Sequence, residues 1–564
     1  MRSLGPLIVV VVFCACSDNG GSPVCDADHQ LVDGTCVGVT RPEICPDTYC
    51  IAAASCVATH YVKEGASGDG SKGSPFGDLP VAAAKAKAGD CIALAEGSYS
   101  AAAVVGGVSV LGTGADHVTL KALSVAGGNG GGRIRGLAID ADGVGLIIQG
   151  ASGLEVEQVR ISAATGQGLD ARQAPSLKLL NVEVVKVTSL GGTDASVDAT
   201  PDAGVEASVP DAGAPDASQP DAMADDAGSP DATPDLSTPD AGGPDAGADA
   251  TTADAGGSSS AAAYGIGILV AKASSATIER CLVQNAGTQG ILIHGSWVAV
   301  KQSRVSKSGL YGVAIDCSGS CKGQPAVEVV GCTLDHNKGI GLLALGGKLV
   351  ARDNDVGDTS YAAGFARNVQ LQNGIELTLE RNTVHHSKGQ GVVIDKGTGT
   401  VTDNTVQDNE ERGMVIQGSM KLALEDNVVD GNERSGITAI GSTEITIKGG
   451  RVASTKQRAV IVEAKSGMVG DGVQVLAKSK VAIRGARVEK NARVGVLIDD
   501  AVAEVAETTI TDGVDAIVVQ NAKITDQKIK AKNAAGIDIN ATEPTTPYIN
   551  NPANLPSTLP LPIP

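Results

Sequence analysis

The chain of 564 residues carries 64 acidic and 44 basic side chains, a net charge of −20 at pH 7. This balance argues against a nucleic acid partner, because phosphate backbones are bound by clustered Lys and Arg. The acidity is concentrated in residues 194–254, which hold 15 acidic side chains and no Lys or Arg. In the remaining chain, acidic and basic side chains nearly balance. The hydrophobic content of the whole chain, 42%, is ample for a folded core.

The N-terminus has the pattern of an export signal. Met1-Arg-Ser supplies a positive start, and the apolar run Leu7–Phe13 is too short to span a bilayer. The sequence Phe13-Cys-Ala-Cys16 resembles a bacterial lipobox, in which Cys16 would carry the lipid. We therefore expect residues 1–16 to be a lipoprotein signal peptide that anchors the protein at the outer membrane or cell surface. An ordinary secretory signal is the alternative.

A cysteine-rich segment follows at residues 17–59. Export permits disulfides, and the spacings do not match a zinc site. The disulfide candidates are Cys25, Cys36, Cys45, Cys50, Cys56 and Cys91, together with a local pair formed by Cys317 and Cys321.

A short Ala-rich segment at residues 79–88 is predicted to be a capping helix. Asp78 is a suitable N-cap, Pro80 fits the first turn, and Gly89 ends the helix. The following Gly89-Asp-Cys-Ile and Glu96-Gly-Ser-Tyr99 resemble the N-terminal signature of right-handed parallel β-helix proteins of the pectate-lyase-like superfamily. The resemblance implies a β-helix over residues 60–541, outside the insertion described below. It also implies a superfamily of polysaccharide lyases, hydrolases and epimerases that includes many non-enzymes.

A repeat of about 22 residues supports the same all-β fold, a single-stranded right-handed parallel β-helix. Each copy holds short β-branched runs with period-two alternation, separated by Gly, Asn, Asp and Ser. About 15 coils would form a rod on the order of 70 Å long. One inward apolar column is predicted at Val283, Val305, Leu334, Val356, Val384, Val406, Val429 and Val452.

Two polar columns accompany the apolar one. The first consists of Cys281, Ser303, Cys332, Asn354, Asn382, Asn404 and Asn427, in which the four Asn are expected to hydrogen-bond side chain to side chain. The second consists of Asn337, Ser387, Asn409, Asn432 and Asn491, and we expect it at a left-handed bend, which Asn tolerates.

The β-helix is interrupted once. It occupies residues 60–190 and 261–541, and residues 191–260 are a disordered Asp/Ala/Pro-rich insertion by composition. The strand pattern resumes at Tyr264–Val270 where the same coil would continue, so the insertion belongs to one turn. Residues 542–564 form a Pro-rich tail.

An outward apolar column is the least expected feature. It is predicted at Leu292, Ala314, Leu343, Ala366, Val393, Val415, Thr438, Ile461, Leu497 and Val518. On an isolated coil these side chains would stand in water and mark an interface with a protein partner or a second copy. The alternatives are a cover formed by the tail or a long loop, and β-propensity alone.

The acid/base and platform candidates are His294, Asp316, Trp297 and Tyr311. Enzymes of the resembled superfamily work on the outward face of one sheet, where the first two would supply proton transfer. The last two would supply aromatic ligand contacts. A solvated turn is the alternative interpretation.

A metal-site candidate lies in a turn column formed by His336, Asp358, His386 and Asp408, with His385 adjacent. His and Asp on successive coils are able to bind a divalent ion. The alternative is a polar turn that faces water, and we expect no cofactor.

The functional hypothesis is a lipid-anchored surface rod for binding or display, with a protein or glycan as ligand and without catalysis. The two alternatives are a lyase, hydrolase or epimerase of acidic glycans, and a structural spacer without a ligand.

Overall fold

A computed structural model describes residues 29–32, 35–38, 58–128, 130–162, 164–189, 265–272, 275–317, 326–462, 465–520, 522–527, 530–532 and 537–539. Almost all regular structure in these ranges is β-strand. From residue 58 onward the chain winds into a coil, and successive coils pair in parallel register. Each coil adds one strand in turn to three stacked sheets, named here sheet 1, sheet 2 and sheet 3. The fold is the predicted right-handed parallel β-helix.

The strands of each sheet follow in chain order. Sheet 1 contains His60–Val62, Cys91–Leu94, Ser109–Leu111, Arg133–Asp140, Glu155–Ser162, Leu177–Leu180, Ala276–Glu279, Val298–Lys301, Val327–Val330, Lys348–Arg352, Glu376–Glu380, Thr398–Thr402, Met420–Glu425, Thr443–Lys448, Lys480–Arg484, Val502–Ala506 and Lys523–Gln527. Sheet 2 contains Gly97–Tyr99, Val118–Leu120, Glu183–Val187, Leu282–Ala286, Arg304–Ser306, Thr333–Asp335, Asp355–Gly357, Thr383–His385, Thr405–Gln407, Val428–Asp430, Arg451–Ala453, Arg487–Glu489, Thr509–Thr511 and Lys530–Lys532, and it merges with sheet 1 through the two eight-residue strands. Sheet 3 contains Ala102–Val105, Leu123–Ala126, Leu146–Gln149, Gln167–Arg172, Ile266–Ala271, Gln289–His294, Tyr311–Asp316, Ile340–Leu345, Arg367–Gln372, Gln390–Asp395, Met414–Gln417, Arg434–Ile440, Lys465–Leu476, Val494–Asp499, Asp515–Gln520 and Ile537–Ile539.

Two antiparallel hairpins stand outside this pattern. His29–Val32 pairs with Thr35–Gly38 in the cysteine-rich segment. Arg458–Val462 pairs with the first half of Lys465–Leu476, whose second half continues sheet 3. This second hairpin lengthens one coil and shifts the sequence spacing of the repeat.

The capping helix is shorter than the sequence predicts. It spans Leu79–Ala83, and the Asp78 carboxylate accepts a hydrogen bond from the Leu79 N–H at 2.8 Å. Leu79, Ala82 and Ala83 are buried in the core at the first end of the coil. The helix does not continue to residue 88, because the chain must return to Cys91, the start of the second strand of sheet 1.

The inward columns of the repeat are confirmed. The predicted apolar column runs in unbroken register from Val283 to Val452, and all its members are buried. Next to it, the amide Nδ2 of Asn354 donates to Asn382 at 2.8 Å, and Asn382 donates to Asn404 at 2.9 Å. Asn404 donates to Asn427 at 3.0 Å, which completes the predicted Asn ladder.

The prediction for the second polar column was wrong in one respect. The left-handed backbone lies one residue earlier, at His336, Asp358, His386 and Asp408, with φ between 52° and 55°. The Asn of this column are buried and point inward. The backbone N–H of Asn409 donates to the side chain of Asn432 at 3.1 Å, so these Asn satisfy backbone groups inside the bend.

The β-helix is in register across residues 190–264. Gln167–Arg172 pairs directly with Ile266–Ala271, and Glu183–Val187 pairs with Leu282–Ala286. The chain on both sides belongs to one compact unit. The predicted insertion at residues 191–260, the tail at residues 542–564 and the signal peptide lie outside the described residues.

The prediction of an exposed outward apolar column was wrong. Its true members along sheet 3 are Leu269, Leu292, Ala314, Leu343, Gln370, Val393, Val415, Thr438, Gln474, Leu497 and Val518. Ala366 and Ile461 do not belong to it, because a hairpin turn at residues 362–365 and the hairpin at residue 458 change the spacing. All the members are at most 6% exposed, so the column is closed to water.

Candidate functional site

The acid/base candidates His294 and Asp316 end adjacent strands of sheet 3 and are in register. The ring Nδ1 of His294 lies 3.3 Å from Oδ2 of Asp316, without hydrogen-bond geometry. The Asp316 side chain is only 2% exposed, and that of His294 is 21% exposed. The fold thus brings the pair together, but its carboxylate is closed to a substrate.

The aromatic candidates do not complete this pair. Tyr311 begins the strand that Asp316 ends, about 16 Å away at 3.3 Å per residue. Its ring is packed in an apolar cluster at 4% exposure, and burial raises the pKa of its hydroxyl. The prediction of Tyr311 as an aromatic platform was therefore wrong. Trp297 is half-buried in the turn before a sheet 1 strand.

The turn that joins sheet 2 to sheet 3 carries the more open polar cluster. Asp358, His385 and His386 each offer one ligand atom, and these atoms lie within 4.8 Å of one another. Nδ1 of His385 faces Nδ1 of His386 at 2.7 Å, while Nε2 of His385 lies 2.9 Å from Oδ1 of Asp355. The hydrogen bond to Asp355, with the other nearby carboxylates, raises the pKa of His385.

The absence of a side chain at Gly357 leaves room for the ring of His385. His385 is paired with Gly357 on the preceding coil, and a Cβ at Gly357 would lie 2.3 Å from Cε1 of His385. The imidazole therefore lies across a position that every residue other than glycine would block. The sequence pattern did not indicate Gly357 or Asp355, because neither belongs to the column of His and Asp.

The other two metal candidates point elsewhere. His336 Nδ1 contacts Asp335 Oδ2 at 2.9 Å, and Asp335 also accepts two hydrogen bonds from Arg304, at 3.1 and 2.8 Å. Asp408 forms an ion pair with Lys456 at 3.2 Å. Of the predicted set, the structure joins Asp358 and His386, and it adds His385.

Three arginines follow the same turn at the start of sheet 3 strands. Arg367 and Arg412 are 7% and 9% exposed, and desolvation lowers the pKa of each guanidinium to about 10. Arg434 is paired with Glu411 at 3.5 Å. The Nε atoms of Arg412 and Arg434 have no hydrogen-bond partner among the described residues. Glu411 is a shared acidic neighbour of all three arginines. Burial of cations in excess of their acidic partners is costly, so the local charge favours a further anionic group.

An exposed aromatic ring borders the arginines. Tyr361 is 51% exposed, and the charges of Glu411, Arg434 and Arg458 act on its hydroxyl. Desolvation, with the charge of Glu411, raises the pKa of that hydroxyl. An aromatic face beside desolvated guanidiniums is a suitable contact for a sugar ring that bears an acidic group. We call Tyr361, Arg367, Arg412 and Arg434 the arginine edge; no periodic signal in the sequence indicated it.

The cysteine predictions are tested only in part. Cys91 and Cys317 are disulfide-bonded. Their pairing stays a prediction, because Cys25, Cys36, Cys45, Cys50, Cys56 and Cys321 have no described side chains. Cys281 and Cys332 are free and buried, and desolvation raises the pKa of their thiols to about 12 and about 11.

The sequence matches the family model described as "Right handed beta helix region" over residues 266–419 and 396–552. Together the matches cover slightly more than half of the chain. This protein therefore belongs to the right-handed β-helix family. The comparison with curated proteins found no match.

Several solved structures are similar at low identity. The periplasmic alginate epimerase AlgG is 11% identical, with 78% of this chain and 79% of that chain covered and a TM-score of 0.34. Tailspike protein 3 of bacteriophage CBA120 is 12% identical, with coverage of 88% and 64% and a TM-score of 0.38. Pectate lyase Pel9A is 12% identical, with coverage of 52% and 76% and a TM-score of 0.27. At these values no argument about activity rests on the likeness.

The described residues contain no helix with the length and apolarity needed to cross a bilayer.

Proposed function

We propose that this protein is a lipid-anchored β-helix rod of the cell envelope that binds an acidic glycan along the arginine edge without cleaving it. The observation that carries the proposal is the pair of desolvated guanidiniums at Arg367 and Arg412, which share the acidic neighbour Glu411. The charges of Glu411 and Arg434 also act on the hydroxyl of Tyr361, whose ring is exposed. A carboxylate or sulfate of the glycan would supply a further acidic neighbour for these cations.

The burial of the outward face of sheet 3 favours a binding role over catalysis. The central outward column of this sheet is closed to water from Leu269 to Val518, and in the neighbouring acid/base pair His294–Asp316 the carboxylate is buried. A glycosidase or lyase needs a proton-transfer group that reaches the sugar. The arginine edge presents cations and an aromatic ring, which suit recognition of charge and shape.

A binding role is also favoured over a pure spacer. In the outward face of sheets 1 and 2, charges are paired from coil to coil, as in Arg133–Glu155 at 3.1 Å and Arg484–Glu504 at 2.9 Å. At the arginine edge, by contrast, Arg367, Arg412 and Arg434 share the acidic neighbour Glu411. A spacer has no need for such an excess of buried cations.

Anchoring is supported by the lipobox-like sequence Phe13-Cys-Ala-Cys16. A diacylated, N-acylated Cys16 would hold the rod firmly to the membrane. The Cys16→Ser variant is expected to leave the membrane fraction, and the released protein is suitable for binding assays. If it stays membrane-bound, the proposed anchor at Cys16 is wrong.

The binding proposal is tested with that released protein on an array of acidic and neutral glycans, beside an activity screen on uronic-acid polymers. We expect binding to acidic glycans and no shortened or unsaturated products. Arg412→Gln should reduce binding by about tenfold or more, since a charge-assisted hydrogen bond contributes about 1.5–3 kcal/mol. Arg484→Gln is the matched control, because Arg484 is exposed and paired.

Product formation in the screen would replace the proposal by an enzymatic function. The absence of both glycan binding on the array and product formation in the screen would favour the structural spacer. Capture of a surface protein through the same residues, with no glycan bound, would retain the arginine edge and reject the glycan.

A further inference from the structure

The cluster of Asp358, His385 and His386 has the donor set of a metal site. Its two imidazole nitrogens and one carboxylate oxygen lie within 4.8 Å of one another. Calcium and magnesium prefer six or more oxygen ligands, whereas imidazole suits zinc and its neighbours in the first transition row. The composition of the cluster therefore selects the class of ion.

The geometry points to a site for a divalent transition-metal ion of the zinc class, held by Asp358, His385 and His386. Asp358 belongs to one coil and the two histidines to the next, so the ion joins consecutive coils at the turn between sheet 2 and sheet 3. The protein supplies three ligands, and water completes the coordination shell, as at open zinc sites.

The ring of His385 is held in the form that binds a metal. Its Nε2 lies 2.9 Å from the Asp355 carboxylate, which accepts the Nε2 hydrogen and leaves the Nδ1 lone pair directed at the cluster. A carboxylate behind a ligating histidine is the usual outer partner at protein zinc sites. Gly357 makes this orientation sterically accessible, since the ring occupies the space that a Cβ would fill.

The second histidine faces the first. His385 Nδ1 and His386 Nδ1 are 2.7 Å apart, so their lone pairs repel unless a proton or a cation lies between them. The surrounding carboxylates Asp355, Asp358 and Asp408 make a cation favourable at this point. Two nitrogens on one tetrahedral zinc ion stand about 3.3 Å apart, given bonds of about 2.0–2.1 Å, so the rings need to separate by only about 0.6 Å to bind the ion.

The site is separate from the arginine edge in its residues and in its test. Metal binding is measured by stoichiometry and spectroscopy, so failure of glycan binding leaves this inference untouched. Equally, an absent metal site leaves the glycan proposal standing.

The experiment uses the full chain, stripped of metal with a chelator and dialysed against zinc sulfate. We expect saturable binding at this site, and we expect cobalt(II) in place of zinc to give visible absorption bands of nitrogen and oxygen ligation. Asp358→Asn and His386→Asn should each weaken zinc binding at least tenfold. Asn tolerates the left-handed backbone at both positions, where φ is 55° and 53°.

Two further variants sharpen the result. Asp355→Asn should weaken zinc binding by about 10–100-fold, the usual range for an outer partner of a ligating histidine. His336→Asn is the matched control, because His336 has the same left-handed backbone but contacts Asp335. It should bind zinc as the unaltered protein does.

Thermal unfolding of each metal-free variant shows whether the coil is intact. The inference is overturned if the unaltered chain binds no zinc at micromolar concentration. It is also overturned if folded Asp358→Asn and His386→Asn bind zinc undiminished, or if His336→Asn loses as much affinity as they do.

Discussion

At the scale of single residues, polar side chains inside the coil are determined by the backbone they serve. Asn404 is 3% exposed, and its Nδ2 donates to the carbonyls of Leu379 and Thr402 and to Asn427. Its Oδ1 accepts from the backbone and side chain of Asn382, both at 2.9 Å. Such an Asn saturates backbone groups that a tight inward bend leaves without strand partners.

Asn404→Ala should destabilise the protein strongly. The substitution leaves the buried N–H of Asn382 and the carbonyl of Leu379 unpaired, at about 1–3 kcal/mol for each group. We expect a loss of about 2–4 kcal/mol in the free energy of unfolding, measured by chemical denaturation. Asp403→Asn is the control, since Asp403 is exposed and has a left-handed backbone that Asn tolerates. Equal stability of the two variants would contradict the role assigned to the ladder.

At the scale of elements, the outward face of sheet 3 changes along the rod. Ile147, in an early coil, is 37% exposed, and it is in register with Asp170 and then with Leu269. From Leu269 onward the same column is covered. A buried polar network continues it, in which Thr438 donates to Gln474 at 3.0 Å and Gln474 donates to Asp471 at 2.7 Å. Strand alternation identifies this column as outward, but its apolar side chains are buried in clusters separate from the main core.

Val393→Lys is therefore expected to destabilise the protein rather than to disrupt an interface. Val393 is 6% exposed and is in register with Val415, in an apolar cluster that extends to Leu497. A buried lysine loses solvation without gaining a partner, and we expect a loss of about 2–4 kcal/mol in the free energy of unfolding. Ile147→Lys is the control at the same column and should have little effect. If Val393→Lys unfolds like the unaltered chain, the face is open in solution.

At the scale of the whole molecule, a long insertion leaves the register of the β-helix unchanged. The N–H of Ile266 donates to the carbonyl of Gly166 at 2.8 Å, and Val187 is paired with Ala286. The strands on either side thus belong to one coil. The closure entropy of a loop rises only with the logarithm of its length, so a long segment costs the fold little.

Deletion of residues 191–260, with a short turn in their place, should leave the coil folded. Shortening the loop from about 70 to about 6 residues removes closure entropy of roughly 2 kcal/mol at most, so the melting temperature should stay equal or rise slightly. Circular dichroism during heating measures this. A large drop in melting temperature would show that the insertion contributes to the fold.

The sequence alone determined the coil, its inward apolar column, the Asn ladder and the N-cap at Asp78. These features rest on local alternation, turn chemistry and an even repeat, each of which is encoded in neighbouring residues. It also identified Asp358 and His386 as candidate metal ligands, because both occupy the same turn position of successive coils.

Only the tertiary structure decided the rest. The membership of the outward columns depends on coils of unequal length, since one hairpin at residues 362–365 and another at residue 458 shift the register. The burial of the outward face of sheet 3 is not encoded in strand alternation, which predicts exposed side chains there. The orientation of His385 over Gly357 requires two residues 28 positions apart to be paired across coils. These properties arise from nonlocal packing, which no window of the sequence contains.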